Sequence, residues 1–184
     1  MGREEGMEIS LYIERWWKEY VGGTDDTCSL IDYLTNREFR HDSTVEIQLT
    51  KILQDFQLTA TREIEEIRQT IDIYYVFGEG FQLDIHCAIN LLMDVTAILL
   101  ECQKNGQVRM LDLDHTYKDE SAIIAIKAES EDVMLLKNWM ADFIQNPLRY
   151  DLAEFCPEEE MQEIATQCQA IVAELTIDEE RHYE

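Results

Sequence analysis

Positive charge is scarce in this sequence. Fifteen lysines and arginines stand against 39 aspartates and glutamates, for a net charge of −24 over 184 residues and a pI near 4.3. Such a chain repels phosphates, which argues against nucleic acid as a partner. Self-repulsion at this level disfavours the compact state, so salt, a cation or a basic partner is expected to offset it. Proline is rarer still, with only Pro147 and Pro157. There is no Pro/Ser-rich linker, no low-complexity run and no internal repeat, so one globular domain over 1–184 is expected, with a frayed acidic tail at 177–184.

Cysteine is sparse and odd in number: Cys28, Cys87, Cys102, Cys156 and Cys168. No C-x-x-C occurs, which reads as reduced cytosolic thiols rather than a disulfide framework. No local base marks any of them as a nucleophile. The N-terminus lacks an apolar signal core, and position 6 is glycine where a myristoylation motif needs serine or threonine. The most apolar segment, 83–102, contains Asp84, His86, Asn90, Asp94 and Glu101, too polar for a membrane span. A soluble, cytoplasmic protein is expected.

What the chain does have is a core: 46% of its residues are hydrophobic, which argues against disorder. Their spacing predicts mostly helices. Ile9, Tyr12, Ile13, Trp16, Trp17 and Tyr20 mark a helix over 8–20. "TDDTCSLIDYL" starts a second, with Asp26 or Thr27 as N-cap. "STVE" at 43–46 fits a capping box that opens a third, with Val45, Leu49, Ile52, Leu53 and Phe56 on one face. A fourth starts near 60 with Ile64, Ile67, Ile71 and Tyr75 inward; its end is open, because "IDIYYVF" also reads as a strand. Residues 81–104 predict a long buried helix stopped by Gly106, with a hairpin about Asn105 and Gly106 as the alternative. "QVRMLDLD" and "SAIIAIKAE" read as two strands joined by a turn at "HTYKD". Helices follow from Ser130 to the stop at Asn146–Pro147, and after Pro157, where Met161, Ile164, Ala165, Cys168, Ile171, Val172 and Leu175 form an inward stripe. The expected class is α+β: helix-dominated, with a small antiparallel sheet or hairpin late in the chain.

Motifs that name a reaction are missing. No G-x-S-x-G, Walker A, G-x-G-x-x-G or H-E-x-x-H appears. "LDLDHTYKDE" at 111–120 is the best metal candidate, since Asp112 and Asp114 would share a strand face beside His115 and Asp119. It lacks the glycine and the last acid of a calcium loop, so solvated aspartates flanking inward Leu111 and Leu113 are the simpler reading. His86, Asn90 and Asp94 step along one face and read as a hydrogen-bonded polar stripe. The Glu-x-x-His spacings at Glu38–His41 and Glu179–His182 fall outside core helices and read as chance. No cofactor and no metal are expected.

Distributed negative charge is the remaining signal. From Asp151 to the end there are eleven acids and a single base, Arg181. In size, charge and helix-rich build the chain resembles small cytosolic immunity proteins and acidic phosphate-mimicking inhibitors. That resemblance implies a non-enzymatic inhibitor of a basic partner, a nuclease-like toxin being the first candidate. A regulatory or scaffold module is the alternative, and a metal-dependent enzyme using Asp112 and Asp114 is the third reading. The expected partner-binding residues are Asp112, Asp114, Asp119 and Glu120 at the turn, Glu129, Glu131 and Asp132 after the second strand, Glu158, Glu159 and Glu160 at a helix start, and Trp17 as an aromatic anchor.

Overall fold

The computed structural model describes residues 11–17, 20–41, 43–78 and 80–177. Helix α1 is Ile13–Trp16. The start of the expected 8–20 helix, at 8–10, and positions 18 and 19 lie outside the described residues. Helix α2, Asp25–Thr35, is capped by Thr24 rather than by Asp26 or Thr27: the Thr24 hydroxyl accepts from the Thr27 N–H, and the Thr27 hydroxyl accepts from the Thr24 N–H.

Thr44–Gln48 is strand β1, not the first turn of a helix. "STVE" is compatible with a cap, but Thr44, Val45 and Ile47 are β-branched and pair in parallel with Ile123–Lys127. Helix α3, Leu49–Asp55, follows directly and buries Leu49, Ile52 and Leu53. Helix α4 is only Ile64–Arg68, and strand β2 takes Thr70–Phe77, so the strand reading of "IDIYYVF" holds.

Residues 81–104 divide between two elements. Phe81–Cys87 is strand β3, antiparallel to β2; Ala88–Asn105 is helix α5. No breaker separates them in sequence, and partial alternation gives way at Ala88 to a mostly apolar helical run. Gly106, at φ 82°, stops α5 as expected by donating its N–H to the Cys102 carbonyl, and the antiparallel hairpin is the earlier pair β2–β3.

The first late strand is shorter than expected. Strand β4 holds only Val108–Arg109, and Met110–Leu113 turns as helix α6. Strand β5, Ile123–Lys127, pairs antiparallel with β4 and parallel with β1, giving the order β1–β5–β4. The antiparallel pair late in the chain is therefore present, joined by an early parallel strand. Helix α7, Ser130–Gln145, ends at Asn146–Pro147; two 3₁₀ turns, Pro147–Arg149 and Asp151–Glu154, lead to helix α8, Glu158–Glu174. Eight helices and two small sheets among the described residues make an α+β fold.

Helix α5 is its axis. Every residue from Ala88 to Cys102 is buried, and α1, α2, α7, α8 and β5 all pack on it. A helix buried on every side, with its few polar side chains hydrogen-bonded, belongs at a centre. The α8 stripe faces this core as expected, with Met161, Ile164, Ala165, Cys168, Ile171 and Leu175 buried and Val172 half-buried.

Candidate partner-binding surface

Polar side chains on α5 latch the N-terminal elements. Glu101 accepts from the Ile13 N–H at 2.7 Å and from the Asn105 amide at 2.6 Å. Asp94 accepts from the Gly22 N–H at 2.7 Å and the Thr27 hydroxyl at 2.5 Å. Asn90 donates to Asp26 at 2.8 Å and accepts from the Tyr20 hydroxyl at 2.8 Å. The polar stripe is real, except that His86 belongs to β3 and is exposed. Complete burial pushes the Asp94 carboxyl up to about 7 against the pull of the Thr27 and Gly22 hydrogen bonds, with the Asp26 charge adding to the rise.

Asp26 in turn fixes the hairpin. Its carboxylate accepts the N–H groups of His86 at 2.8 Å and Cys87 at 3.1 Å, while the Ser29 hydroxyl donates to the Asp84 carbonyl at 2.7 Å. Helix α2 thus lies along the β3 edge. On the hairpin's inner face Ile73, Leu83 and Ile85 are buried, and Tyr75 packs with Tyr33 and Phe56, ring centroids 5.1 and 5.9 Å away. On the outer face Tyr74 stands opposite Asp84 and Val76 opposite Gln82, all exposed. Asp72 and His86 meet there at 3.0 Å, and the hydrogen bond to Asp72 raises the imidazole pKa.

Two clefts flank α2. One, about 280 Å³, separates it from β3 and is lined by Asp25, Asp32, Phe81, Asp84 and His86 among others. The other, about 530 Å³, separates it from Leu113, Asp114 and Thr116. Burial raises the Asp32 pKa, and the facing Asp114 charge adds to the rise.

The expected site residues fall in separate places. Asp112 is on α6, in a two-pronged ion pair with Arg109 at 2.6 and 2.9 Å. Asp114 accepts from the N–H and hydroxyl of Thr116, at 2.9 and 2.8 Å, and lines the larger cleft. Because 110–113 is helical, Asp112 and Asp114 do not share a strand face, which removes the geometry of the metal reading. Among the described residues no group of three or more His, Cys, Asp or Glu side chains is arranged to hold a metal ion. Asp119 accepts from Ser121, whose hydroxyl and N–H lower its pKa, and Glu120 is exposed beside it. Glu129, Glu131 and Asp132 follow β5, whose five residues span about 17 Å, so they lie at the far end of that strand from Asp119 and Glu120. Asp132 accepts from the Thr50 hydroxyl. Glu158, Glu159 and Glu160 are exposed at the start of α8.

Trp17 is the misplaced anchor. Its ring is 3% exposed and its indole N–H donates to the Leu113 carbonyl at 2.8 Å, so it holds the core. Among the described residues the exposed aromatics are Tyr74, Phe81 and Phe155, and the sequence reading passed over all three as anchors. For Tyr74 and Phe81 the signal was the alternation in "TIDIYYVF", which the sequence left open between helix and strand, and in "FQLDIHC", which was read as helix. The five cysteines are free; Cys87, Cys102 and Cys168 are buried, which raises each thiol pKa, Cys87 and Cys102 to about 11. None of the described helices is long and apolar enough to cross a membrane.

No curated protein and no solved structure matches this chain. A family model does match it, over residues 12–175, from the first helix to the end of the last. The match takes in α5, its polar latches, the hairpin and both small sheets. The chain belongs to the Immunity protein 68 family.

Proposed function

We propose that this protein is a non-enzymatic inhibitor that binds and neutralises a basic toxin of nuclease-like chemistry in the cytoplasm. The observation that carries this reading is the combination of family membership with a net charge of −24. A surface of that sign steers a lysine- and arginine-rich partner and speeds its capture. Nuclease sites are basic because they hold phosphate, so carboxylates can cover them where the backbone of a nucleic acid would lie. Exposed acids at Asp119, Glu120, Glu129, Glu131 and Glu158–Glu160 spread the field over several faces, and Asp114 extends it to the α2 cleft.

The test is recovery of the full chain with its partners from the native host, identification by mass spectrometry, and co-production of the recovered toxin with this protein. A basic toxin whose killing is suppressed is the expected result. Recovery of an acidic or non-toxic partner, or killing that continues unchanged, would overturn the reading.

A further inference from the structure

We propose that the outer face of the β2–β3 hairpin, with the acidic clefts beside it, is the docking surface for the basic toxin. This rests on the inhibitor reading above and names the site through which it acts. Three of the large exposed apolar side chains fall on this one ribbon: Tyr74 at 45%, Val76 at 58% and Phe81 at 57% exposure. Met134, Leu148 and Phe155 are also exposed, but on other elements. Strand alternation puts Tyr74 and Val76 side by side on the outer face, while Phe81, in phase with Leu83 and Ile85, sits at the end of β3 and lines the smaller cleft. Single exposed apolar residues are ordinary, but two adjoining on one face beside a third at the cleft form a group.

The surroundings select the occupant. Asp72 and Asp84 share the face with Tyr74 and Val76, and Asp25 and Asp32 stand across the smaller cleft. Asp114 faces α2 across the larger one. Among the described residues neither cleft is lined by a lysine or an arginine. Apolar anchors inside an acidic rim fit a partner whose own anchor pocket is ringed by lysine and arginine. The face is also held still in advance. Its inner side is packed against the core, and Asp26 and Ser29 tie β3 to α2. A prearranged surface loses less conformational freedom on binding.

The experiment uses the toxin recovered with the full chain, purified and inactivated. The triple variant Tyr74→Ser, Val76→Ser, Phe81→Ser removes the anchors from exposed positions, and circular dichroism and melting check its fold. Its Kd is expected to weaken by at least about 100-fold, mainly through faster dissociation. The variant Asp25→Asn, Asp32→Asn, Asp84→Asn is expected to slow association about 10-fold, while Glu158→Gln, Glu159→Gln, Glu160→Gln, with the same loss of charge, changes it less than about 2-fold. Hydrogen–deuterium exchange on the unaltered complex should slow over 70–87 and 25–32, which keeps the test open if a variant misfolds. If the unaltered chain binds no basic toxin, the inhibitor reading and this surface fall together. If it binds and the hairpin variant binds equally, or exchange slows elsewhere instead, or the two charge variants slow association equally, the surface falls and the inhibitor reading stands.

Discussion

Gly22 carries three constraints at one backbone position. Its φ is +77°, its N–H is spent on Asp94, and a Cβ there would lie 2.2 Å from the Trp17 ring. That ring cannot swing away freely, because it is buried and its indole N–H is fixed to Leu113. Gly22→Ala therefore combines left-handed strain with overpacking and should cost about 2–4 kcal/mol. Urea denaturation measures it, and an unchanged midpoint would mean that Trp17 gives way. The adjoining Asp94 makes a different prediction. Its folded carboxyl titrates near 7, through complete burial, against about 3.9 when unfolded. The folded state thus holds a proton that the unfolded state has released between those values. The stability associated with this group is full below pH 4, is lost as pH rises toward 7, and stays lost above it. Asp94→Asn abolishes that titration, so its stability relative to the parent should climb between pH 4 and 7, by about 4 kcal/mol at most. Asp26, Tyr20 and Cys168 face the same pocket and share its field, which is why the difference between the two proteins is the quantity to plot. A flat difference would place the carboxylate in contact with water.

Elements differ in how much of their identity is local. Helices α7 and α8 were legible because each has a stop or start in its own sequence, Pro147 and Pro157, and a stripe that persists for four turns. Gly106 was legible for the same reason. The segment 44–48 was not: its fate is decided by parallel pairing with β5, nearly 80 positions away, and no local feature reports that partner. Residues 81–104 misled because the polar positions of β3 and α5 happen to continue one helical spacing through Cys87. The acids at 111–120 were legible as charge but not as place, since the α6 turn and the Arg109 pair redirect Asp112. Trp17 was misplaced because helical spacing alone does not say which of two adjacent tryptophans turns inward. Long-range polar contacts of this kind also join α4 to α7. Arg68 holds Asp142 through Nε and Nη2 while its Nη1 donates to Glu65 at 2.9 Å, and the Tyr150 hydroxyl donates to the Asp142 carboxylate at 2.8 Å. Arg68 is the first cause of a depressed Asp142 pKa. Asp142→Ala leaves the Tyr150 hydroxyl and the Arg68 Nε and Nη2 groups without their acceptor, Nη1 keeping Glu65, and should cost about 1–3 kcal/mol, lost from α4, α7 and the 3₁₀ turn together. Because the folded pKa is depressed, the contribution of Asp142 is present at neutral pH and disappears as acid protonates it. The deficit of the variant relative to the parent should therefore shrink below pH 4, and a deficit independent of pH would assign the loss to packing.

At the scale of the whole molecule, charge acts with opposite sign before and after binding. In the free protein 39 acids outnumber 15 bases, the excess negative charge repels itself, and folding brings it closer together. Salt shortens the range of that repulsion from about 30 Å at 10 mM to about 3 Å at 1 M. The free chain should therefore melt higher as salt rises, by about 2–4 °C for each kcal/mol of repulsion removed. Choline chloride should serve as well as sodium chloride if screening is the cause, whereas a gain confined to one cation would mean specific binding. In the proposed complex with a basic toxin the same salt should weaken the attraction that draws the partner in, so association should slow by about 10-fold or more over that range. Dissociation should change far less if the proposed anchors Tyr74, Val76 and Phe81 hold by apolar contact rather than by the field. One titration of salt, read by melting on the free protein and by stopped flow on the complex, separates the two effects. If association and dissociation shift equally with salt, the acids are part of the bound contact itself, and the division of labour between rim and anchors is wrong.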